Sequence, residues 1–342
     1  MTGSDLTPTT AGRRDPTTGT AGSAGTAGTV RTADGAGTTG PSMLGRVCLV
    51  TGAAGGMGAA IATSLARSGA TVVLVARDRA GGEAVARAIT TATGNTRVEV
   101  LIGDLSDQSA VRRLAAEFTA AHRELHVLVN TAGAHFRVRS VSADGIEMHL
   151  AVNHLAPFLL TNLLLGALQA GAPSRIVNIG SASMSDTRQV RITRTARPVV
   201  LDLDDLQSRQ HFAPMEVYAR SKLQLLMCGY AFARRLAGSG VTVNTVHPGL
   251  TATSVVDAIA APALAPLLPL VKRLLLTAEE GARAAVHLAT SPWLEKTTGR
   301  YFLRQVQARS PEFTYDTALQ DQLFDASARL VGLPTPAVAA VD

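Results

Sequence analysis

From about residue 44 onward, hydrophobic residues occur in short continuous runs that alternate with segments of helical periodicity. Short runs rich in Val, Ile and Leu are typical of strands that are buried on both faces of a parallel sheet. The pattern therefore predicts seven strands, which cover residues 46–52, 70–77, 98–105, 125–133, 174–183, 241–249 and 299–304. Predicted helices fill most of the intervals, and the clearest are residues 57–69, 81–93 and 107–123.

Regular alternation of strands and helices predicts an α/β fold, because each helix carries the chain back over the sheet to the next parallel strand in a right-handed connection. We expect a single doubly wound, Rossmann-type domain with a parallel sheet of about seven strands across residues 42–335. Residues 336–342 would form a short tail, and no internal repeat is visible along the chain.

Residues 1–41 differ sharply in composition from the rest of the chain. The first 40 contain 12 threonines, nine glycines and six alanines, and their three arginines are balanced by three aspartates. Such a segment cannot bury enough apolar surface to offset the entropy that its ordering would cost. We therefore predict a disordered leader, which lacks the hydrophobic run that a secretory signal needs.

The overall composition narrows the class of protein. Hydrophobic residues make up 46% of the chain and charged residues 17%, which excludes a wholly disordered or fibrous protein. The net charge of +6 comes from 29 arginines and three lysines that are scattered along the chain, so it does not by itself indicate a nucleic-acid partner. The longest strongly apolar run, residues 258–271, contains three prolines and is too short to span a bilayer. We expect no transmembrane segment.

Two cysteines, Cys48 and Cys228, each lie within an apolar run. This arrangement is typical of buried thiols in a reducing compartment rather than of a disulfide framework. Together with the missing signal and membrane segments, it predicts a cytoplasmic location. None of these features suggests a metal site.

A cluster of glycines follows the first predicted strand and leads directly into the first predicted helix. The run TGAAGGMG at residues 51–58 has the glycines that a tight turn and a close backbone approach to a pyrophosphate require. The helix that follows would offer free N–H groups and its positive dipole end to the anion. The alternative is a flexible strand-to-helix turn, but the position after the first strand of an α/β series favours dinucleotide binding.

The second predicted strand ends at Ala76 and Arg77. An NAD-preferring fold places an acidic residue near this point to bind the ribose 2′-hydroxyl, whereas an arginine accommodates the 2′-phosphate of NADP. Arg77 therefore favours NADP(H) as the cofactor. The adjacent Asp78 weakens this interpretation, and the alternative is an ordinary solvated arginine.

Tyr218 and Lys222 are four residues apart at the start of a predicted helix, so both side chains lie on one helical face. A free phenol, with a pKa of about 10, is a poor base at neutral pH. A nearby ammonium group would lower that pKa toward a range useful for acid–base catalysis. Taken alone, such a pair is more often part of an ordinary helix surface.

Several motifs occur together in one order along the chain, and that order resembles the short-chain dehydrogenase/reductase superfamily, most closely its retinol-dehydrogenase-like group. The resemblance spans about residues 44–335 and rests on TGAAGGMG (51–58), Asp104-Leu105, NTAG (130–133), Asn153, NIGS ending at Ser181, YARSK (218–222) and HPG (247–249). It implies that Tyr218 is the general acid/base and that Lys222 lowers its pKa and binds the nicotinamide ribose. Ser181 would stabilise the substrate oxygen, and Asn153 would hold a proton-relay water through a kinked helix.

The same resemblance implies a cofactor site. Thr51, Gly52, Gly56 and Gly58 would hold the phosphates, Asp104 and Leu105 the adenine, and Asn130 the adenosine-side wall. Pro248, Gly249 and Thr253 would close over the carboxamide end of the nicotinamide. Met57, Arg77, Ala132, Gly133, Tyr218 and Lys222 complete the predicted set of cofactor contacts. Members of the family commonly form dimers and tetramers through the helix that carries the catalytic tyrosine and its neighbour, so we expect a homo-oligomer.

Two segments depart from a minimal fold of this type. Thirty-six residues separate Ser181 from Tyr218, and this insertion (residues 184–215) is basic at first and then acidic. It would be either a solvated excursion or a lip of the substrate cleft. Residues 250–276 are unusually apolar and follow the sixth strand, where a substrate lid is expected. A subunit interface or a membrane-surface patch are the alternatives for this second segment.

These features predict an NADP(H)-dependent oxidoreductase that interconverts a ketone or aldehyde and an alcohol on a small lipophilic molecule. A non-catalytic NADP(H)-binding sensor or scaffold is one alternative. An NAD-dependent sugar-nucleotide epimerase or dehydratase is another, because the glycine-rich run also satisfies the TGxxGxxG spacing of those relatives.

Overall fold

The computed structural model describes residues 42–184, 199–251 and 275–334, and eight strands in these ranges form one sheet. The strands are β1 (Val47–Thr51), β2 (Thr71–Ala76), β3 (Val98–Ile102), β4 (Val127–Asn130), β5 (Ser174–Ile179), β6 (Val241–His247), β7 (Arg300–Leu303) and β8 (Val306–Ala308). Their spatial order is β3-β2-β1-β4-β5-β6-β7-β8. Strands β1 to β7 are parallel, as the buried apolar runs predict, and the doubly wound fold class is confirmed.

The edge strand β8 is the one element of the described sheet that the hydrophobic pattern does not predict. It is three residues long, mostly exposed, and pairs antiparallel with β7. Leu303 pairs with Val306 across a two-residue turn, in which Arg304 has a positive φ of 55°. A short hairpin strand with one neighbour buries little surface, so it leaves no run of hydrophobic residues in the sequence.

Helices cover both faces of the sheet. They are α1 (Gly56–Arg67), α2 (Arg79–Thr93), α3 (Gln108–Ala121), α4 (Met148–Leu150), α5 (Ala156–Leu163), α6 (Leu165–Ala170), α7 (Pro214–Arg235), α8 (Ala278–Thr290) and α9 (Thr317–Leu330), and a π-helical turn (Ala151–Leu155) joins α4 to α5. One hydrophobic cluster packs α1, α2 and α8 on one face, and a second packs α3, α5, α6, α7 and α9 on the other. Alternate residues of each strand therefore enter different cores.

The sheet positions the functional site through its strand order. The chain runs outward from β1 through β2 to β3, and then crosses back to β4 on the other side of β1. At this reversal the loops that follow β1 and β4 diverge to opposite faces, which opens a crevice at the carboxyl ends of the strands. The glycine-rich run leaves β1 at that end, and the NTAG run leaves β4 there.

Several predicted features fall partly or wholly outside the described residues. These are the leader (1–41), the basic part of the insertion (185–198), most of the predicted lid (252–274) and the tail. Cys48 and Cys228 are both buried and unpaired, as their apolar surroundings predict. In the described ranges, no helix combines the length and the hydrophobicity needed to cross a membrane.

The described half of the insertion packs against the domain. Val199 and Asp205 are buried, and the Asp205 carboxylate accepts hydrogen bonds from the backbone N–H groups of Arg209 and Gln210. Ser208 is fully buried, where its hydroxyl accepts a hydrogen bond from the guanidinium of Arg220. Three buried residues thus anchor this half of the insertion to the domain, while six of its residues between 199 and 213 are exposed to solvent.

Helix α7 is enclosed by its own chain. Every residue from Val217 to Ala233 is buried except Arg220, which is partly exposed. The outer side of the helix is covered by α9, whose Phe324 ring lies 4.9 Å from the ring of Phe232 and 4.8 Å from that of Phe158. This three-ring cluster fixes the long helix that carries Tyr218 and Lys222.

We predict that Phe324→Ala lowers the free energy of unfolding by about 3 kcal/mol, because it leaves a cavity between two aromatic rings of α5 and α7. The measurement is urea denaturation followed by circular dichroism. Phe313→Ala is the matched control, since that ring is 38% exposed and its removal should cost less than about 1 kcal/mol. Equal losses in the two variants would show that α9 does not fix α7.

Candidate active site

The glycine-rich run after β1 forms a cradle whose shape depends on missing side chains. A Cβ on Gly58 would lie 2.3 Å from the carbonyl oxygen of Gly52, so no larger residue fits where α1 starts. Gly52 has a φ of +64°, and a Cβ there would lie 2.9 Å from the Cα of Ala132. Beside Gly55 and Gly56, by contrast, nothing described lies within 4 Å of the Cβ position. The loop is therefore closed toward the protein and open on its outer side.

The N-terminus of α1 is electrostatically suited to an anion. Its N-cap residue, Gly55, provides no side-chain hydrogen bond, and the first turn contains no acidic residue. Helices α2, α3 and α9 are instead capped by the carboxylates of Asp78, Asp107 and Asp316. The first N–H groups of α1 and its positive dipole end thus face the open cradle, and these residues fit the pyrophosphate of a dinucleotide.

Two of the predicted phosphate-loop residues have structural tasks. The buried Thr51 hydroxyl accepts hydrogen bonds from the N–H groups of Thr131 and Ala132, at 3.0 and 3.1 Å, and so joins the end of β1 to the turn after β4. The side chain of Met57 packs beside Gly281 of α8. Because both side chains are engaged within the protein, only the backbone groups of Thr51 and Met57 are available to bind a phosphate.

The NTAG turn lies beside the cradle, and its asparagine connects two strands. The Asn130 amide is buried and donates to the Asn178 side chain of β5 at 2.9 Å. Its place in the adenosine-side wall stays a prediction. Ala132 lies against Gly52, as the cradle requires. A Cβ on Gly133 would lie 3.0 Å from the Nζ atom of Lys222, which shows that this glycine gives the lysine its approach.

The residues predicted to contact the adenosine half lie at the ends of β2 and β3. Arg77 is exposed, and no described residue forms an ion pair with it. The Asp78 carboxylate caps α2 by accepting from the N–H of Gly81 at 2.7 Å. Asp104 is exposed and binds the Ser106 backbone and hydroxyl, while Leu105 is half-buried.

The predicted nicotinamide end is described only in part. Pro248 is buried, and Gly249 has a φ of +101°, where a Cβ would lie 2.6 Å from the side chain of Leu276. The chain therefore makes a tight glycine-dependent bend directly after β6. Thr253 lies outside the described residues.

Tyr218 and Lys222 lie on the inner face of α7, one helical turn apart. The Tyr218 side chain is 7% exposed and the Lys222 side chain 3%. The Lys222 ammonium donates to the carbonyl oxygen of Ile179 at 3.0 Å, which leaves two of its three donors without a described partner. A charged amine so deeply buried is costly unless further acceptors reach it, and these donors fit the hydroxyls of a cofactor ribose.

Burial dominates the ionisation of this pair. It raises the pKa of Tyr218 to about 12, although a hydrogen bond with Ser181 acts in the opposite direction. It also lowers the pKa of Lys222 to about 8. In the chain alone the Tyr218 pKa is thus shifted upward, and the phenol is protonated at neutral pH. A lowering of this pKa by Lys222 stays a prediction.

Ser181 follows β5 and is oriented by a residue that the sequence prediction missed. Its hydroxyl lies 2.9 Å from the hydroxyl of Ser183 and accepts a weaker hydrogen bond from the Ser183 backbone. Ser183 is 1% exposed and belongs to a short 3-10 helix, so its position is fixed. In the sequence, the feature that indicates this residue is a second serine, Ser183, two positions after Ser181.

Asn153 lies on the π-helical turn and connects two parts of the site. Its side-chain oxygen accepts from the Ala134 N–H at 2.8 Å, and its nitrogen donates to the Ala134 carbonyl and to the Ser221 hydroxyl. The Ser221 hydroxyl in turn donates to the Tyr218 carbonyl at 2.7 Å. The described residues use every hydrogen-bonding position of the Asn153 side chain except one lone pair of its oxygen. The predicted relay water would therefore bind at this lone pair or at the backbone.

Three further residues near Tyr218 were not predicted. His135 and His149 place their ring centroids 5.7 and 6.2 Å from the Tyr218 ring. The fully buried Glu147 accepts a hydrogen bond from Nδ1 of His149 at 2.8 Å, and Nε2 of His149 accepts from the N–H of Phe136. Sequence spacing could not find them, because α4 and the loop after β4 meet only in the folded chain.

Comparisons with known proteins identify the family of the chain. Residues 46–193 match a family model described as short chain dehydrogenase, and residues 187–303 match one described as enoyl-(acyl carrier protein) reductase. Human retinol dehydrogenase 11 is 37% identical over 302 residues, which cover 88% of this chain and 91% of that protein. Zebrafish polyprenol dehydrogenase is 36% identical over 299 residues, covering 86% and 89%.

Solved structures show the same architecture. An uncharacterised protein of Mycobacterium paratuberculosis superimposes with a TM-score of 0.67 at 29% identity and covers 87% of this chain and 97% of its own. A Beutenbergia cavernae protein, described as an NAD(P)-dependent gluconate 5-dehydrogenase and solved with NADP at low occupancy, gives 0.57 at 28% identity. That comparison covers 77% of this chain and 96% of the other.

We predict that Lys222→Met makes the protein more stable at pH 7, by up to about 3 kcal/mol. The pKa of Lys222 is about 8 in the folded chain and 10.5 for a free lysine, so between these values the unfolded chain binds more protons and stability rises with pH. Below pH 8 the full cost of burying the charge remains. The gain from Lys222→Met should therefore shrink as the pH rises above 8.

Chemical denaturation of the wild type and the variant at pH 7 and at pH 9.5 tests this expectation. Lys296→Met serves as the matched control, because Lys296 is exposed. If the variant is less stable than the wild type at both pH values, burial of the Lys222 ammonium does not destabilise the folded protein.

Proposed function

The chain belongs to the short-chain dehydrogenase/reductase superfamily, in its retinol-dehydrogenase-like group, and from this membership we propose that it is an NADP(H)-dependent enzyme that interconverts a ketone or aldehyde and an alcohol. Oxidoreduction of alcohols and carbonyl compounds is the chemistry of this family. The proposed substrate is a small lipophilic molecule. The observation that carries the proposal is that the buried Tyr218 and Lys222 lie on one face of α7 with the half-buried Ser181 beside Tyr218, and that Ser221 joins the Tyr218 backbone to Asn153.

Each of these groups has a defined part in the proposed reaction. The nicotinamide cofactor, when bound, supplies or accepts the hydride. Tyr218 donates its phenolic proton to the substrate oxygen during reduction and takes it back during oxidation. Its raised pKa keeps the phenol protonated at neutral pH, which is the form that reduction requires. Ser181 donates a hydrogen bond to the same oxygen and stabilises the charge that develops there.

Lys222 and Asn153 act on Tyr218 indirectly in the proposed reaction. The two Lys222 donors not used by the Ile179 carbonyl would bind the ribose hydroxyls of the cofactor and return a proton toward Tyr218. Asn153 fixes the backbone of Tyr218 indirectly, because Ser221 bridges its amide and the Tyr218 carbonyl. The phenol is therefore held on a helix whose inner face cannot shift without breaking buried hydrogen bonds.

The preference for NADP(H) is supported by the residues between the end of β2 and the N-terminus of α2. Asp78 is the acidic residue nearest the expected ribose position, and its carboxylate is committed to capping α2. Arg77 beside it is exposed and able to meet a 2′-phosphate. The similar B. cavernae structure contains NADP.

A lipophilic substrate is supported by the relatives and by the walls of the site. The similar proteins are named for retinol and polyprenol, which are alcohols with long hydrocarbon chains. In this chain Phe136 and Phe212 pack around His149 near the catalytic tyrosine. Leu250, the first residue of the predicted lid, is 53% exposed beside the bend after β6.

The alternatives to this proposal receive less support. A sensor or scaffold would not need the complete set of Ser181, Tyr218 and Lys222, and the two similar proteins named for retinol and polyprenol are dehydrogenases rather than epimerases. A homo-oligomer and a cytoplasmic location stay predictions. An oligomer built on α7 would have to displace α9, so a different surface is the better candidate.

We expect Tyr218→Phe to lower turnover of a carbonyl panel by at least about a hundredfold, because a general acid contributes roughly that much or more. NADPH binding, measured by its fluorescence change, should be unchanged, because the ring still fills its place. Tyr301→Phe, on β7, is the control with an equal loss of one hydroxyl. Full turnover by Tyr218→Phe would exclude Tyr218 as the acid.

For the cofactor, Arg77→Ala should weaken NADPH binding by about tenfold and leave NADH binding unchanged, because it removes a charge-assisted contact to the 2′-phosphate alone. Fluorescence titration of both nucleotides measures this. Arg79→Ala is the matched control, since the Arg79 side chain already pairs with Glu83 at 3.5 Å. If the unmodified protein binds both nucleotides equally, the role given to Arg77 is wrong.

A further inference from the structure

His135 lies against the catalytic tyrosine and has ring nitrogens with no described task. Both nitrogens are shielded from solvent, yet neither has a hydrogen-bond partner among the residues that the structure describes. The ring contacts Tyr218 edge-to-face with a centroid distance of 5.7 Å, and contacts His149 in the same manner at 5.4 Å. Because unpaired buried polar atoms are costly, a group that pairs with them should bind favourably.

The backbone on both sides of His135 is clamped. Asn153 binds the N–H and the carbonyl oxygen of Ala134, and Nε2 of His149 accepts from the N–H of Phe136. His149 is itself held by Glu147, which also accepts hydrogen bonds from the backbone at the start of α4. The backbone that carries His135 is therefore held in place beside Tyr218.

We propose that His135 recognises a second oxygen function of the substrate, a hydroxyl or a carbonyl a few bonds from the reacting carbon. This inference rests on the proposed function, because it places the substrate between Tyr218 and His135. A substrate oxygen bonded to the phenol and another bonded to the imidazole, each at about 2.7–3.0 Å, would satisfy both rings at once. The preferred substrates are thus hydroxyketones, diketones or the corresponding diols.

The charge state of the ring restricts the partner further. Burial, followed by repulsion from His149 and Arg137, lowers the pKa of His135 to about 4. The ring is therefore neutral at pH 7 and offers one N–H donor and one acceptor nitrogen. A hydroxyl can use either nitrogen and a carbonyl the N–H, whereas a carboxylate would find no positive charge on this ring.

The test compares two apolar ketones that differ in one oxygen, benzylacetone and its β-hydroxy derivative, as NADPH-dependent substrates. The wild type should favour the hydroxyketone in kcat/KM by about three- to tenfold, the effect of one neutral hydrogen bond. His135→Phe keeps an aromatic ring against Tyr218 but removes both nitrogens, so it should abolish this preference, mainly through KM. His135→Gln restores a donor and an acceptor and should recover much of the preference.

His122→Phe is the matched control, because this histidine lies beyond the end of α3 and pairs with Glu99. Thermal unfolding shows whether each variant is folded. If His135→Phe lowers kcat/KM equally for both ketones, or leaves the preference intact, His135 is only part of the wall and the inference is wrong.

Binding separates this inference from the proposed function. Calorimetric titration of both ketones into the Tyr218→Phe protein with NADPH needs no turnover. A preference for the hydroxyketone that is lost in Tyr218→Phe/His135→Phe supports the role of His135, even if the wild type reduces neither ketone. Turnover without any preference would overturn the role of His135 and leave the proposed function standing.

Discussion

The buried amide of Asn153 makes three hydrogen bonds that join the loop after β4 to helix α7. Because the amide is fully buried, each lost bond would leave an uncompensated polar group, and the loop and the helix are therefore held at a fixed separation. The position of Tyr218 depends on this link, because the Ser221 hydroxyl that binds Asn153 also donates a hydrogen bond to the backbone carbonyl of Tyr218. The π-helical turn at Ala151–Leu155 carries the amide, and such distortions are frequent at functional sites.

Lys222 shows that burying a charged side chain in this site costs free energy. Among 29 arginines and three lysines, the cation buried on the inner face of α7 is a lysine, and a compact ammonium fits between Gly133 and the Ile179 carbonyl where a planar guanidinium would not. Its lowered pKa records the cost of that burial. With the role proposed for Lys222, activity and stability would make opposite demands on this one residue.

The sequence predicts the sheet well, because β1, β2, β4, β5 and β6 are buried on both faces and leave continuous apolar runs, and the less buried β3 and β7 still carry short apolar runs. From the spacing of Tyr218 and Lys222 it also predicts that both side chains lie on one face of α7, as they do; the catalytic roles of Ser181, Tyr218 and Lys222 stay predictions. The sequence does not give the direction of a side chain: those of Thr51 and Asn130, which have predicted cofactor roles, join strands and turns. It also misses His135, Glu147 and His149, whose importance arises from contacts between segments that the chain order does not bring together.

The packing of α9 on α7 has a consequence for biosynthesis. Helix α7 begins at residue 214, but the ring of Phe324 that covers Phe158 and Phe232 is added more than a hundred residues later. A nascent chain leaving the ribosome therefore exposes these apolar rings until α9 has emerged. The helix that carries Tyr218 becomes shielded from water only after α9 has been synthesised, so a chain truncated before α9 would be prone to aggregate.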